Sequence, residues 1–127
     1  MSAAPTQFPE TINEGSTAVY RSVLRDEEGV TIPDSVINTL TLTLSHVGTG
    51  AIINSRNGQN VLNANNVTVD GSGNLVFALQ ALDTVIIDDT QSKEYHRATF
   101  QCRFDTNKHS NWDVDFRIRN LEKVPTA

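Results

Sequence analysis

Apolar and polar residues alternate along this chain with a period of two, in short runs separated by turn-forming residues. The clearest run is Thr39–Ser45, with Leu40, Leu42 and Leu44 on one face and Thr39, Thr41, Thr43 and Ser45 on the other. That period belongs to a strand buried on one side, and the branched Cβ of threonine suits a pleated surface. Thr17–Arg25 alternates in the same way, setting Ala18, Tyr20, Ser22 and Leu24 against Val19, Arg21, Val23 and Arg25, and Asp26-Glu27-Glu28-Gly29 closes it as a turn. Val30-Thr31-Ile32 resumes before Pro33-Asp34, and Ala51–Asn54 continues as a strand after a turn at Gly48-Thr49-Gly50. Val67–Asp70 and Asn74–Leu79 flank Gly71-Ser72-Gly73, a hairpin signature that sets Val69 opposite Leu75 and Val67 opposite Phe77. Leu82–Ile87 reads as a crossover corner that turns at Asp83, in preference to a short strand.

A long closing hairpin is predicted from Glu94–Phe104 and Trp112–Ile118. His96, Ala98, Phe100, Cys102 and Phe104 share one face of the first arm, and Trp112, Val114, Phe116 and Ile118 share one face of the second. Folding about Asp105–Asn111 pairs Phe104 with Trp112, Cys102 with Val114 and Phe100 with Phe116, leaving Arg103 across from Asp113 on the wet face. In residues 54–66, six of thirteen positions are asparagine, which tolerates left-handed backbone. This segment is predicted to be an ordered loop with a helical turn near Asn60–Ala64 that tucks Val61 and Leu62 inward. Residues 1–13 contain Pro5 and Pro9 and read as an extended arm with at most a short edge strand near its end. Residues 14–124 form the domain and 125–127 a tail. No segment of ten or more residues shows a 3.6-residue period. About seven short strands with turns spaced near ten residues predict an all-β, antiparallel β-sandwich with Greek-key connections, immunoglobulin-like in outline.

Composition narrows the chemistry. At 127 residues one domain is expected, and 38% hydrophobic with 20% charged residues is globular rather than disordered. The net charge of −5 argues against a nucleic-acid binder. No apolar run is long enough to span a membrane. Met1–Pro9 lacks the basic and apolar segments of a secretory leader, and Cys102 has no partner for a disulfide. A reducing cytoplasm is the expected place of folding.

The candidate chemical groups are sparse. Ser45-His46 and Lys108-His109-Ser110 place nucleophile and base on adjacent positions, which point to opposite faces of a strand. His96 is expected to be buried, neutral and bonded to backbone. Asp83, Asp88 and Asp89 are the densest carboxylate group but lack the spacing of a calcium loop, so they read as a solvated corner. The glycine-rich turns precede no helix and cradle no phosphate. Asn66-Val67-Thr68 matches a glycosylation sequon by chance. No catalytic residue, metal ligand or cofactor is assigned. Arg97, Arg103, Arg117 and Arg119 share an exposed face with Asp113 and Asp115, an arrangement suited to protein docking. Phe8 and Pro9 are expected to present an anchor to a neighbour's sheet edge or pocket.

Thr39–Val47, Ile52–Asn63, Val67–Asp70 and Phe116–Leu121 together resemble small structural proteins of tailed bacteriophages, over most of residues 15–124. The resemblance implies a non-enzymatic, immunoglobulin-like virion subunit. It would be assembled in the host cytoplasm and dock onto other virion proteins and copies of itself, at the head–tail connector, neck or tail, or as capsid decoration. It carries no active-site residues across, and implies no nucleic-acid, membrane or small-molecule partner. The alternatives from other classes are a carbohydrate-binding module, weakened because only Tyr95 among the aromatics clearly points outward, and an inhibitor of a host enzyme.

Overall fold

Eight strands form two facing sheets in the computed structural model, which describes residues 6–122. They are β1 Thr6–Asn13, β2 Ala18–Val23, β3 Ile37–His46, β4 Gln59–Asn60, β5 Val67–Val69, β6 Asn74–Leu79, β7 Lys93–Phe104 and β8 Lys108–Arg119. The larger sheet runs β1-β8-β7-β3-β4 and the smaller β2-β6-β5. Taken in chain order, β2 to β8 occupy the places of strands B, C, C′, D, E, F and G of an immunoglobulin sandwich, and β1 lies beside the last of them. The fold is therefore an all-β, immunoglobulin-like β-sandwich. No described helix is long and apolar enough to cross a membrane.

Alternation decides which side chains meet between the sheets. Leu40, Leu42 and Leu44 from β3, Phe77 and Leu79 from β6, Phe100 from β7 and Phe116 from β8 are at most 1% exposed. Tyr20 stacks on Phe100 at 6.1 Å between ring centroids and meets Phe116 edge-on at 5.9 Å, joining the sheets through aromatic contacts. Trp112 stacks on Phe100 at 4.9 Å, and its Nε1–H donates to the Tyr20 hydroxyl at 3.1 Å. The β5–β6 hairpin has the expected register, Val69 opposite Leu75 and Val67 opposite Phe77. Its turn requires Gly73, whose φ is +78° and whose added Cβ would lie 3.0 Å from the Ile32 carbonyl oxygen.

The described residues form eight strands, in keeping with the expected sandwich of about seven. Several expectations are corrected. The described part of the expected arm, residues 6–13, is a strand paired in parallel with β8, Thr6 with Val114 and Asn13 with Arg119. Residues 1–5 of that arm and the tail at 125–127 lie outside the described residues. Ile12 is buried, which the two prolines obscured. Pro9 is accommodated where the register shifts between Gln7 and Thr11, since it has no N–H to give a ladder. The closing hairpin turns more tightly than predicted: Phe104 lies opposite Lys108, Phe100 opposite Trp112 and Arg103 opposite His109. Asp105 and Thr106 both take positive φ there, permitting the short loop. The displacement is an even number of residues, so every side chain keeps its predicted face. Ala51–Asn54 contributes only an isolated bridge, Ile52 to Ser45. Near Asn60 the chain adds β4 to the edge of β3 instead of a helical turn, although Val61 is buried as expected.

Candidate docking surface

The outer face of the five-stranded sheet collects the arginines singled out from sequence. Register places Ser45, Arg97, Asp115 and Gln7 in one row across four strands, Thr39, Arg103 and His109 in another, and Tyr95, Arg117 and Thr11 in a third. Lys93 lies opposite Arg119 at the end of the sheet. Arg97 makes a forked pair with Asp115, at 2.8 Å from Nε and 3.1 Å from the second guanidinium nitrogen. The hydrogen bond to Asp115 raises the Arg97 guanidinium above its ordinary value, against a smaller opposing effect of burial. Arg117 donates from Nε to Thr11 Oγ1 at 2.7 Å, and Arg103 to the Thr106 carbonyl at 2.8 Å. Three of the four guanidinium groups are thus held in place. Only Arg97 among them is ion-paired among the described residues.

Phe8 and Pro9 are arranged differently from the anchor expected of them. Phe8 turns inward and packs on the Phe116 ring at 5.1 Å, so its aromatic surface is part of this chain's own core. Pro9 is exposed on the edge strand.

Two buried polar clusters lie beneath the loops. The first centres on Arg56, which is 2% exposed. Its Nε donates to Asp83 Oδ1 at 2.6 Å, and its other nitrogens reach Asp83 Oδ2, Gln59 Oε1, the Asn65 carbonyl and Asn66 Oδ1. The guanidinium also sits 5.1 Å from the Phe77 ring centroid. Asn54, Ser55, Asn63, Asn65 and Asn66 all take positive φ, so the asparagine-rich segment curls around this one side chain. Asp83 is therefore an internal anchor, 1% exposed, and not part of a solvated corner.

The second cluster joins Glu94, His96 and His46. His96 Nδ1 faces the Asp83 carbonyl oxygen at 3.1 Å and must donate to it, while Nε2 contacts Glu94 Oε2. This is a carboxylate partner that the sequence reading of His96 missed. Glu94 also accepts the Ile87 N–H at 2.9 Å and the Asp88 N–H at 2.9 Å, fastening the loop after Asp83. Burial pushes Glu94 upward, but the Asp88 N–H, the His96 ring and the Ile87 N–H outweigh it and hold the carboxyl below its ordinary value. His46 brings Nε2 to 3.8 Å from Glu94 Oε1, and its Nδ1 receives the Thr49 N–H at 3.1 Å. The Thr49 hydroxyl lies 2.9 Å from the same ring nitrogen, so both Thr49 groups meet His46 Nδ1. Among the described residues no group of three His, Cys, Asp or Glu is arranged to hold a metal ion.

No family model matches the chain, and no curated protein does. Among solved structures, the N-terminal Ig1-2 module of the Drosophila receptor protein tyrosine phosphatase DLAR is similar over 99% of this chain, with 9% identity and a TM-score of 0.41. This chain spans 50% of that structure. The strand order described above, and not this distant likeness, defines the chain as an immunoglobulin-like domain.

Proposed function

We propose that this chain is a structural subunit of a tailed-bacteriophage virion, docking onto other virion proteins at the head–tail connector, neck or tail through the outer face of its five-stranded sheet. The observation that supports docking is the charge of that face. Lys93, Arg97, Arg103, Arg117 and Arg119 stand against Asp113 and Asp115, a net of +3 on a chain whose total is −5. Such segregation steers an acidic partner toward one face, and held guanidinium groups lose less freedom on binding than free ones. The buried titratable groups are occupied in fastening loops, which fits a binding role better than a catalytic one. The assignment to a virion rests on the sequence resemblance.

Purified particles of the encoding phage tested by mass spectrometry should contain the chain in a fixed copy number. Arg103→Glu should abolish its incorporation while the chain stays folded, its melting temperature falling only by the loss of one exposed hydrogen bond to the Thr106 carbonyl. Particles without the chain would overturn the proposal. Density for it on the capsid surface would assign it to decoration instead of neck or tail.

A further inference from the structure

At the end of the sandwich where β7 begins and β8 finishes, two patches of opposite charge lie side by side. The basic patch is Lys93 with its cross-strand partner Arg119, and Arg117 one row further in. The acidic patch rims a hollow of about 380 Å³, with Glu14, Asp89 and Glu122 around Val85 and Ile86. Main-chain bonds fix the two patches to each other: the Glu14 N–H donates to the Arg119 carbonyl at 3.0 Å, and the Asn120 N–H to the Ser92 carbonyl at 2.9 Å. Among the described residues none of these six charged groups belongs to an ion pair. Exposed apolar side chains gather at the same end, Leu82 at 62%, Leu121 at 53% and Ile87 at 39%.

We propose that this surface binds a second copy of the chain about a two-fold axis. An isologous contact needs each patch and its complement on one continuous surface, so that basic meets acidic twice across the axis. This end of the molecule supplies both. The apolar floor of the hollow suits the methylene stem of Lys93 or Arg119 from the second copy, whose charged head then reaches the carboxylate rim. Pairing would also cover the exposed leucines, which an ordinary polar partner would leave wet. The inference deepens the docking reading, shares Arg117 and Arg119 with it, and leaves Arg97 and Arg103 for other subunits.

Sedimentation equilibrium of the full chain tests this. A dimer is expected at an ionic strength of about 0.01 M, dissociating toward about 1 M as the screening length falls to roughly 3 Å. Lys93→Glu with Arg119→Glu should weaken the dimer by at least about tenfold, and so should Asp89→Lys with Glu122→Lys, because each reversal sets like charges together. Among the described residues these four side chains make no hydrogen bond, so unchanged melting temperatures should accompany the loss. An equimolar mixture of the two double variants should recover the dimer, since each reversed patch then meets its opposite at both contacts. A wild-type chain that stays monomeric at low salt, a mixture that stays monomeric, or a mixture that grows into longer chains would overturn the two-fold pairing. A monomeric wild type whose incorporation still depends on Arg103 would overturn the pairing alone and leave the docking reading standing.

Discussion

Arg56 and Asp83 show how a single pair of side chains organises two loops. A buried charge is tolerable only when paired and fully hydrogen-bonded, and Arg56 has five oxygen acceptors around it. Asp83→Ala removes the counter-charge and leaves the guanidinium stranded. Its expected cost is about 3–5 kcal/mol, measured as a shift in the urea midpoint. Loss of less than about 1 kcal/mol would mean that water or the asparagines replace the carboxylate. Glu94 makes a prediction about pH. Its carboxyl lies below the ordinary value of 4.5 in the folded chain, so the folded state binds its proton more weakly than the unfolded state does. The stabilisation is complete above pH 4.5 and is lost as pH falls through the lower folded value. Glu94→Gln should flatten the acid side of the stability profile, and an unchanged slope would refute this account. At Cys102 burial alone raises the thiol to about 11, so at pH 8 the native chain should resist maleimide labelling until it is unfolded.

Among the elements, the edge strand β1 is the one whose role differs most from its sequence pattern. Ile12 is 5% exposed and Phe8 packs on Phe116, so the segment is part of the core. Ile12→Ala should cost about 2–5 kcal/mol, and deleting residues 6–13 should lower the melting temperature substantially. A deletion that leaves the melting temperature unchanged would show that the β1–β8 ladder is dispensable. The contrast with β3 explains what was legible. Leu40, Leu42 and Leu44 alternate with threonines, so periodicity alone identified strand, face and burial. In β1 the two core contacts are four residues apart and a register shift falls between them, which breaks the period. The β5–β6 hairpin was legible down to its residue pairs because Gly73 has the positive φ its turn demands. The β7–β8 turn was not, since Asp105 and Thr106 adopt positive φ without a glycine to announce it. The arginines on the outer face of the five-stranded sheet could be read from alternation. Arg56, His46 and Glu94 could not, because their partners are distant in sequence and brought together only by loop closure.

At the scale of the whole molecule, the first strand is joined to the last. Gln7 donates to the Asp115 carbonyl across 108 positions of chain, so the β1–β8 ladder closes nearly the whole sequence into one loop. The β7–β8 and β5–β6 hairpins close only short loops, and β3–β7 an intermediate one. Loop-closure entropy rises with the length closed, and a parallel pairing between chain ends returns its contacts only after that cost has been met. The sandwich of β2 to β8 is therefore expected to form before β1 docks onto it. A destabilisation confined to β1 should then fall on the unfolding rate, because the transition state lacks the contact that was removed. Ile12→Ala should raise the unfolding limb of a urea chevron by nearly its whole equilibrium effect and leave the folding limb in place. Phe100→Leu, in the aromatic centre shared by both sheets, should by contrast slow folding. A folding limb that drops for Ile12→Ala as much as for Phe100→Leu would mean that the chain ends meet early, and that β1 belongs to the nucleus instead of sealing a sandwich already built.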